Sequence, residues 1–283
     1  MRDQDFDLFA NLLKASSGLS IGPDKQYLLE TRLTPVALRN GLGGFDALAD
    51  EVRFKKPAAL IEQVVEAMTT NESFFFRDKT PFDILQNQVL PNLHESRSDV
   101  KKLRIWCGAA STGQEPYSIA MMFAEQAARW AGWNIEILGT DISREALKRA
   151  HEANYSQFEV QRGLPVDYML KYFTQEGERW LLKDEIKRRV RFEPFNLLDS
   201  FSALGKFDVV FMRNVLIYFD AQTKSAVFEK VRNAMQKDGS LFLGAAETVI
   251  GVTEQLRGVK GLRGLYVTTE YANEASLNYA AAG

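Results

Sequence analysis

The chain has 283 residues, 46% hydrophobic and 25% charged, with 35 Lys plus Arg against 37 Asp plus Glu and a formal net charge of -2. These proportions allow one large or two modest globular domains and exclude disordered, collagen-like and fibrous chains. The balanced charge predicts no nucleic-acid partner, and one cysteine (Cys107) with two histidines (His94, His151) excludes a disulfide scaffold and predicts no metal site.

The acidic start, Met1–Asp7, lacks the apolar stretch of a signal peptide, and no apolar run approaches the roughly 18 residues that span a bilayer. The expectation is a cytoplasmic protein that is not membrane-inserted. Residues 1–95 read as a small helical domain. Phe6, Phe9, Leu12 and Leu13 recur at helical spacing, as do Phe45, Leu48, Ala49 and Val52. Asp24–Asn40 reads as a helix that Pro35 should kink or interrupt. A further helix opens at Pro57 and carries Leu60, Ile61, Val64, Val65 and Met68. Phe82, Leu85, Val89 and Leu90 mark another, with a stop expected near Pro91. The polar stretch His94–Asp99 reads as a linker.

From there to about residue 270 strands alternate with helices. Leu103–Cys107, Ile135–Gly139, Val190–Phe195, Phe207–Met212 and Ser240–Ala245 read as strands, with helices at Glu115–Trp130, from Ser143, and between the last two strands. Such alternation predicts an α/β domain, a Rossmann-like parallel sheet with helices on both faces. The rhythm breaks at about 155–193, where Arg179–Leu182 and Lys187–Phe192 suggest a small antiparallel β insertion with a turn at Gln175–Glu178. Residues 271–283 read as a disordered tail, with fraying expected from Glu270.

Ligands of open α/β sheets bind beyond the carboxyl ends of the strands. After the first strand stands Gly108-Ala109-Ala110-Ser111-Thr112-Gly113, small residues that admit a ligand to the backbone and to a helix N-terminus, though they also serve helix–strand packing. After the second stands Asp141, suited to accepting hydrogen bonds from ribose hydroxyls, or alternatively to capping the next helix. Asn196 and Leu197 follow the third strand, fitted to an adenine edge and face. Arg213 and Asn214 follow the fourth. These features point to a nucleoside cofactor, and both NAD and S-adenosylmethionine satisfy them.

Four strings resemble the chemoreceptor glutamate methyltransferases, the CheR family, in that family's order over roughly residues 5–270. They are Thr70-Asn71-Glu72-Ser73-Phe74-Phe75-Phe76-Arg77, Trp106–Ala120, Gly139-Thr140-Asp141-Ile142-Ser143, and Arg213-Asn214-Val215-Leu216-Ile217-Tyr218-Phe219. The resemblance implies a class I methyltransferase fold that binds S-adenosylmethionine, releases S-adenosylhomocysteine and forms γ-glutamyl methyl esters on the cytoplasmic helices of chemoreceptors. It also implies that residues 1–95 dock the receptor and cover the cofactor. By similarity Asn71, Ser73 and Arg77 close over the cofactor, with Ser73 keeping the hydroxyl of the family's usual threonine. Ala109 approaches it, Glu115 holds its ammonium and Asp141 its ribose, Asn196 and Leu197 frame the adenine, and Arg213 and Asn214 line the methyl end. Tyr218 is expected to orient the incoming carboxylate. Phe74, Phe75 and Phe76 read as core.

Lys25, Arg32 and Arg39, seven apart, suggest a basic docking face, although Pro35-Val36-Ala37 departs from the further arginines common in the family. Some members bind a C-terminal receptor pentapeptide through the insertion; the short turn here predicts independence of it. A nicotinamide oxidoreductase should show a fuller glycine fingerprint. A nucleic-acid amino-methyltransferase should show an Asn/Asp-Pro-Pro-aromatic string where Arg213–Leu216 stands. A catalytically silent receptor-binding adaptor is the remaining alternative.

Overall fold

A computed structural model describes residues 2–274. Four helices come first: α1 (Asp3–Ser17), α2 (Gln26–Arg39), α3 (Phe45–Phe54) and α4 (Ala58–Met68). Each turns one apolar face inward, and Phe9, Leu13, Leu29, Leu33, Leu48, Val52 and Val64 close into a single cluster. Pro35 does not interrupt α2. Leu33, Val36 and Ala37 beside it are fully buried, and about 1.5–3 kcal/mol per buried Leu or Val outweighs the roughly 3 kcal/mol that an internal proline costs.

The expected stop at Pro91 is also absent. Helix α5 (Thr80–Ile84) continues through a π-helical stretch, Leu85–Val89, into α6 (Leu90–Ser96). The Leu90 N–H donates to Leu85 O, five residues back. This wider turn seats Pro91, which has no N–H to donate, without ending the helix. The segment His94–Asp99 is therefore a helix end and a turn, not a linker. Arg97 ties it to the sheet, 3.0 Å from Asp208 and 2.5 Å from Asp238. Phe75, Phe82, Leu85, Val89 and Leu93 join the core of the sheet, not that of α1–α4. Packing thus divides the chain near residue 70, whereas helical periodicity alone placed the junction at 95.

The remaining elements are β1 (Lys102–Gly108), α7 (Gln114–Glu125), β2 (Asn134–Asp141), α8 (Arg144–Glu152), β3 (Asn154–Ser156), α9 (Gln157–Gln161), α10 (Val166–Tyr172), β4 (Phe173–Glu176), β5 (Arg179–Leu182), α11 (Asp184–Lys187), β6 (Val190–Pro194), β7 (Phe207–Met212), α12 (Ala221–Ala234), β8 (Met235–Leu243), β9 (Leu256–Gly258), β10 (Leu265–Thr268) and α13 (Thr269–Glu274). Seven strands form one sheet in the order β6-β2-β1-β7-β8-β10-β9. The first five are parallel, and β10 pairs antiparallel with both β8 and β9. This is the α/β, Rossmann-like architecture expected. Alternate residues of β1 enter opposite layers: Leu103, Ile105 and Cys107 meet α7 and α5, while Trp106 meets α12. The chain moves outward from β1 to β6 and then returns to β7 on the other side of β1, so a crevice opens at the tips of β1 and β7.

The insertion is a three-stranded antiparallel sheet, β3-β5-β4. The partner of Arg179–Leu182 is Phe173–Glu176, across a two-residue turn with Gly177 at φ 61°. Lys187–Phe192 is not an insertion strand: Lys187 ends α11, and Val190–Pro194 pairs with β2 in the main sheet. The C-terminal reading is corrected in part, since Thr269–Glu274 is helical. Residues 275–283 of the expected tail lie outside the described residues. Among the described residues no helix is long and apolar enough to cross a membrane.

Candidate active site

The turn after β1 holds Ala109 (φ 60°), Ser111 (φ 52°) and Gly113 (φ 92°) in left-handed conformations. For Ala109 and Ser111 this costs about 1–2 kcal/mol each, so the surroundings must fix the loop. The Ala110 N–H donates to Thr140 O at 2.8 Å, the Ser111 N–H to Asp141 Oδ2 at 2.8 Å, and the Ser111 hydroxyl to Asn71 O at 2.8 Å. Tyr155 Oη donates to Thr112 O at 2.9 Å. Gly113 is required on two counts, its φ and a built Cβ that would lie 3.0–3.1 Å from Ala150, Tyr117 and Phe192.

Asp141, at the end of β2, is 6% exposed. Its Oδ1 accepts the Ser143 N–H at 2.8 Å. Ser143, rather than Asp141, caps α8, its Oγ accepting from the Ala146 N–H at 2.9 Å. The helix-cap explanation of Asp141 therefore falls away, and its carboxyl group stands braced by two amides on the cleft wall. Burial raises its pKa above the ordinary carboxylate value, opposed by the Ser143 and Ser111 N–H groups.

Glu115, one residue into α7, meets Arg213 from the tip of β7: Nη1 to Oε2 is 2.8 Å. The guanidinium, 1% exposed, also reaches Asp78 Oδ2 at 2.7 Å and Arg77 O at 2.9 Å. Both Nη atoms of Arg213 are thus committed to protein partners, neutralising Glu115 and latching the segment 70–79, while its buried Nε has none among the described residues. Glu115 Oε1 has no partner among the described residues. Burial raises the Glu115 pKa, and Arg213 opposes that rise.

Asn196 Nδ2 donates to Ser16 O at 2.7 Å, and its Oδ1 accepts the Leu198 N–H at 3.0 Å. The side chain expected to read adenine is spent joining its loop to α1, and what that loop presents to a ligand is backbone and the apolar face of Leu197. Arg77 Nη1 donates to Glu72 O at 3.0 Å. Asn71 Nδ2 donates to Ser143 Oγ at 3.3 Å. Phe75 is fully buried, as a core residue should be, whereas Phe74 lies beneath the guanidinium groups of Arg77 and Arg162.

Asn71, Ser73, Arg77, Ala109, Glu115, Asp141, Asn196, Leu197, Arg213, Asn214 and Tyr218 all line one cleft. Its floor is the strand tips. Its roof is the 70–79 segment with the α1–α2 connection, held to the β7 loop by the Ser20 N–H on Tyr218 O at 2.9 Å and a bridge between Leu19 and Phe219. Tyr218 is half-buried on a 3-10 turn and its hydroxyl has no partner among the described residues. Among those residues no group of three His, Cys, Asp or Glu is arranged to hold a metal.

Sequence reasoning missed Glu66, which accepts from Ser143 Oγ and from the Arg144 N–H at 3.1 Å, and Glu247, just beyond β8. Inspecting the residues past the fifth parallel strand would have raised Glu247. Nothing local flags Glu66, because α4 and α8 meet only in the fold. The basic docking face also changes: Arg32 donates to Met68 O at 3.0 Å and Thr69 O at 3.2 Å, closing the end of α4. Lys25 and Arg39 remain exposed.

The family model for the CheR methyltransferase SAM binding domain matches residues 71–264, and that for the CheR methyltransferase all-alpha domain matches residues 4–69. Chemotaxis protein methyltransferase Cher2 of Pseudomonas putida is 38% identical over 260 residues, covering 90% of this chain and 94% of its own. Chemotaxis protein methyltransferase 1 of Pseudomonas aeruginosa shows the same identity and coverage. A chemotaxis protein methyltransferase of Vibrio parahaemolyticus is 37% identical over 261 residues, covering 91% of this chain and 94% of its own.

Proposed function

The chain belongs to the CheR methyltransferase family, and from that premise we propose that it esterifies glutamate side chains on the cytoplasmic helices of chemoreceptors, in the cytoplasm, as part of chemotactic adaptation. The observation that carries this reading is the cleft at the strand tips, where Glu115 Oε1 and the Asp141 carboxyl group face a shared space with no histidine or lysine among its lining residues. An acceptor carboxylate is already ionised at neutral pH, with a reference pKa of about 4.3, so it brings no proton to remove and needs neither a histidine nor a lysine as base.

S-adenosylmethionine supplies an electrophilic methyl on a sulfonium. An acceptor carboxylate would take that methyl with the electron pair of the carbon–sulfur bond left on sulfur, so the chain's own residues have no proton to hold or move. The chain's own work is alignment, which supplies about 7–11 kcal/mol when donor and acceptor are held in line. Glu115 Oε1 accepts the ammonium of the methionine moiety and Asp141 the ribose hydroxyls. The Asn196–Leu197 loop frames the adenine. Asn71, Ser73 and Arg77 close the roof and keep water out, which matters because hydration stabilises the charged reactants more than a transition state in which charge is being lost. The unpaired oxygen of Glu115 and the open cleft argue against a silent adaptor. The two-residue turn between β4 and β5 supports receptor methylation independent of a C-terminal pentapeptide.

The test is transfer of radiolabelled methyl from S-adenosylmethionine to receptor cytoplasmic fragments. Base-labile label is expected; label that survives base, or none, contradicts the reading. Tyr218, with its free hydroxyl beside the methyl end, orients the acceptor. Tyr218→Phe should lower kcat by up to about 10-fold, the scale of one hydrogen bond, with S-adenosylhomocysteine affinity unchanged. Unaltered turnover and receptor KM would refute that role. Because burial raises both Glu115 and Asp141, cofactor affinity should begin to fall on acidification while the pH is still above the ordinary carboxylate value of about 4. Calorimetric titrations across pH read this directly, and affinity that is flat until ordinary carboxylates titrate would contradict it.

A further inference from the structure

Glu247 lies beneath the methyl end of the cleft, 8% exposed, and has no part in the chemistry just described. Its Oε2 accepts the N–H groups of Asn214 at 2.8 Å and Gly244 at 2.7 Å. Its Oε1 accepts those of Val215 at 3.0 Å and Leu216 at 2.8 Å. A carboxylate has about four lone-pair sites, so this one is saturated by main chain alone. The donors come from two strand tips, β7 and β8, and hydrogen bonds to an ionised acceptor are roughly twice as strong as neutral ones.

Two backbone features show how tightly the arrangement is drawn. Asn214 sits at φ 59°, in the left-handed region that asparagine enters more readily than other non-glycine residues. A Cβ built on Gly244 would stand 2.8 Å from both Glu247 Oε2 and Asn214 Nδ2, so the β8 tip has room there for a hydrogen alone. The turn so held runs directly into Leu216–Tyr218, which carries Tyr218 on the cleft wall.

We propose that Glu247 is a positioning residue for methyl transfer: by gathering these four amides it fixes the turn 214–218 and so aims Asn214 and Tyr218 at the transferring methyl. The inference rests on the methyltransferase reading above. The adenosine contacts at Asp141 and Leu197 lie on other strand tips and are not held by Glu247. The role therefore predicts a split between catalysis and binding that a merely structural carboxylate would not produce.

In Glu247→Gln the volume is kept, but one acceptor becomes an NH2 donor that faces two N–H groups. We expect kcat to fall by about 10- to 100-fold, the scale of misplaced reacting groups, while S-adenosylhomocysteine affinity stays within roughly twofold. Amide hydrogen exchange should accelerate at Asn214, Val215, Leu216 and Gly244, and not at Ala110 or Ser111. Glu247→Asp, which keeps the charge with a shorter reach, should give an intermediate kcat and carries the same readouts if the glutamine variant does not fold. Parallel loss of kcat and affinity in the variants, or unchanged exchange at the four amides, overturns the proposal. Wild-type protein that forms no base-labile ester counts against the proposed function instead, and the exchange and affinity measurements still decide the role of Glu247, since neither needs a methyl acceptor.

Discussion

Asp141→Ala should weaken S-adenosylhomocysteine binding by about 100-fold or more. The estimate comes from two ribose hydroxyls donating to a charged acceptor, about 1.5–3 kcal/mol each, at 1.4 kcal/mol per tenfold. The substitution also removes the acceptor of the Ser111 and Ser143 N–H groups. Ser111 lines the cleft and Ser143 is buried behind it, and the vacated carboxyl volume gives a water room to reach both N–H groups. The melting temperature should therefore move by only a few degrees while affinity collapses. Titration calorimetry with a parallel thermal melt separates the two effects. An unaltered titration would remove Asp141 from the binding site, and collapse of the fold would make it a structural residue.

Arg213→Met should destabilise the protein severely. Glu115 and Arg213 form a buried pair, with side chains 12% and 1% exposed. Removing one partner of such a pair leaves an uncompensated buried charge and costs about 3–5 kcal/mol. For a chain of this length that corresponds to a fall in Tm on the order of 10 °C. The released Asp78 latch adds little, because Asp78 is exposed. Adding Glu115→Gln to the same chain should restore much of the lost stability, since the stranded charge is then gone, and the deviation from additivity measures the pair. Neither variant should recover cofactor binding. A single variant melting within a degree or two of wild type would contradict the pairing.

How far the sequence could be read follows from what each signal reports. Strands β1, β2 and β7 show themselves as short apolar runs ended by small or polar residues, and strand-tip logic then leads to Ala109, Asp141 and Arg213 without knowledge of the fold. Proline signals misled at Pro35 and Pro91, because they are local and the outcome is decided by burial of Leu33, Val36 and Leu90 and by a π turn. Helical period located the helices of residues 80–96 but not the core they join, so the division fell at 95 instead of near 70. Lys187–Phe192 misled because β6 is the edge strand of the main sheet, and its alternation of buried and exposed residues reads like that of a hairpin strand. Roles carried by hydrogen bonds between distant segments were invisible: Arg32 on Met68 and Thr69, Asn196 on Ser16, and Glu66 on Ser143 join residues tens to hundreds of positions apart.

The most direct trial of the whole account is a co-crystal with S-adenosylhomocysteine. Density should fill the cleft between the strand tips and the 70–79 segment, with the ribose against Asp141, the amino group at Glu115 Oε1, and the sulfur toward Asn214 and Tyr218. A ligand bound elsewhere, or a cleft closed by side chains while the ligand is present at saturating concentration, would contradict it.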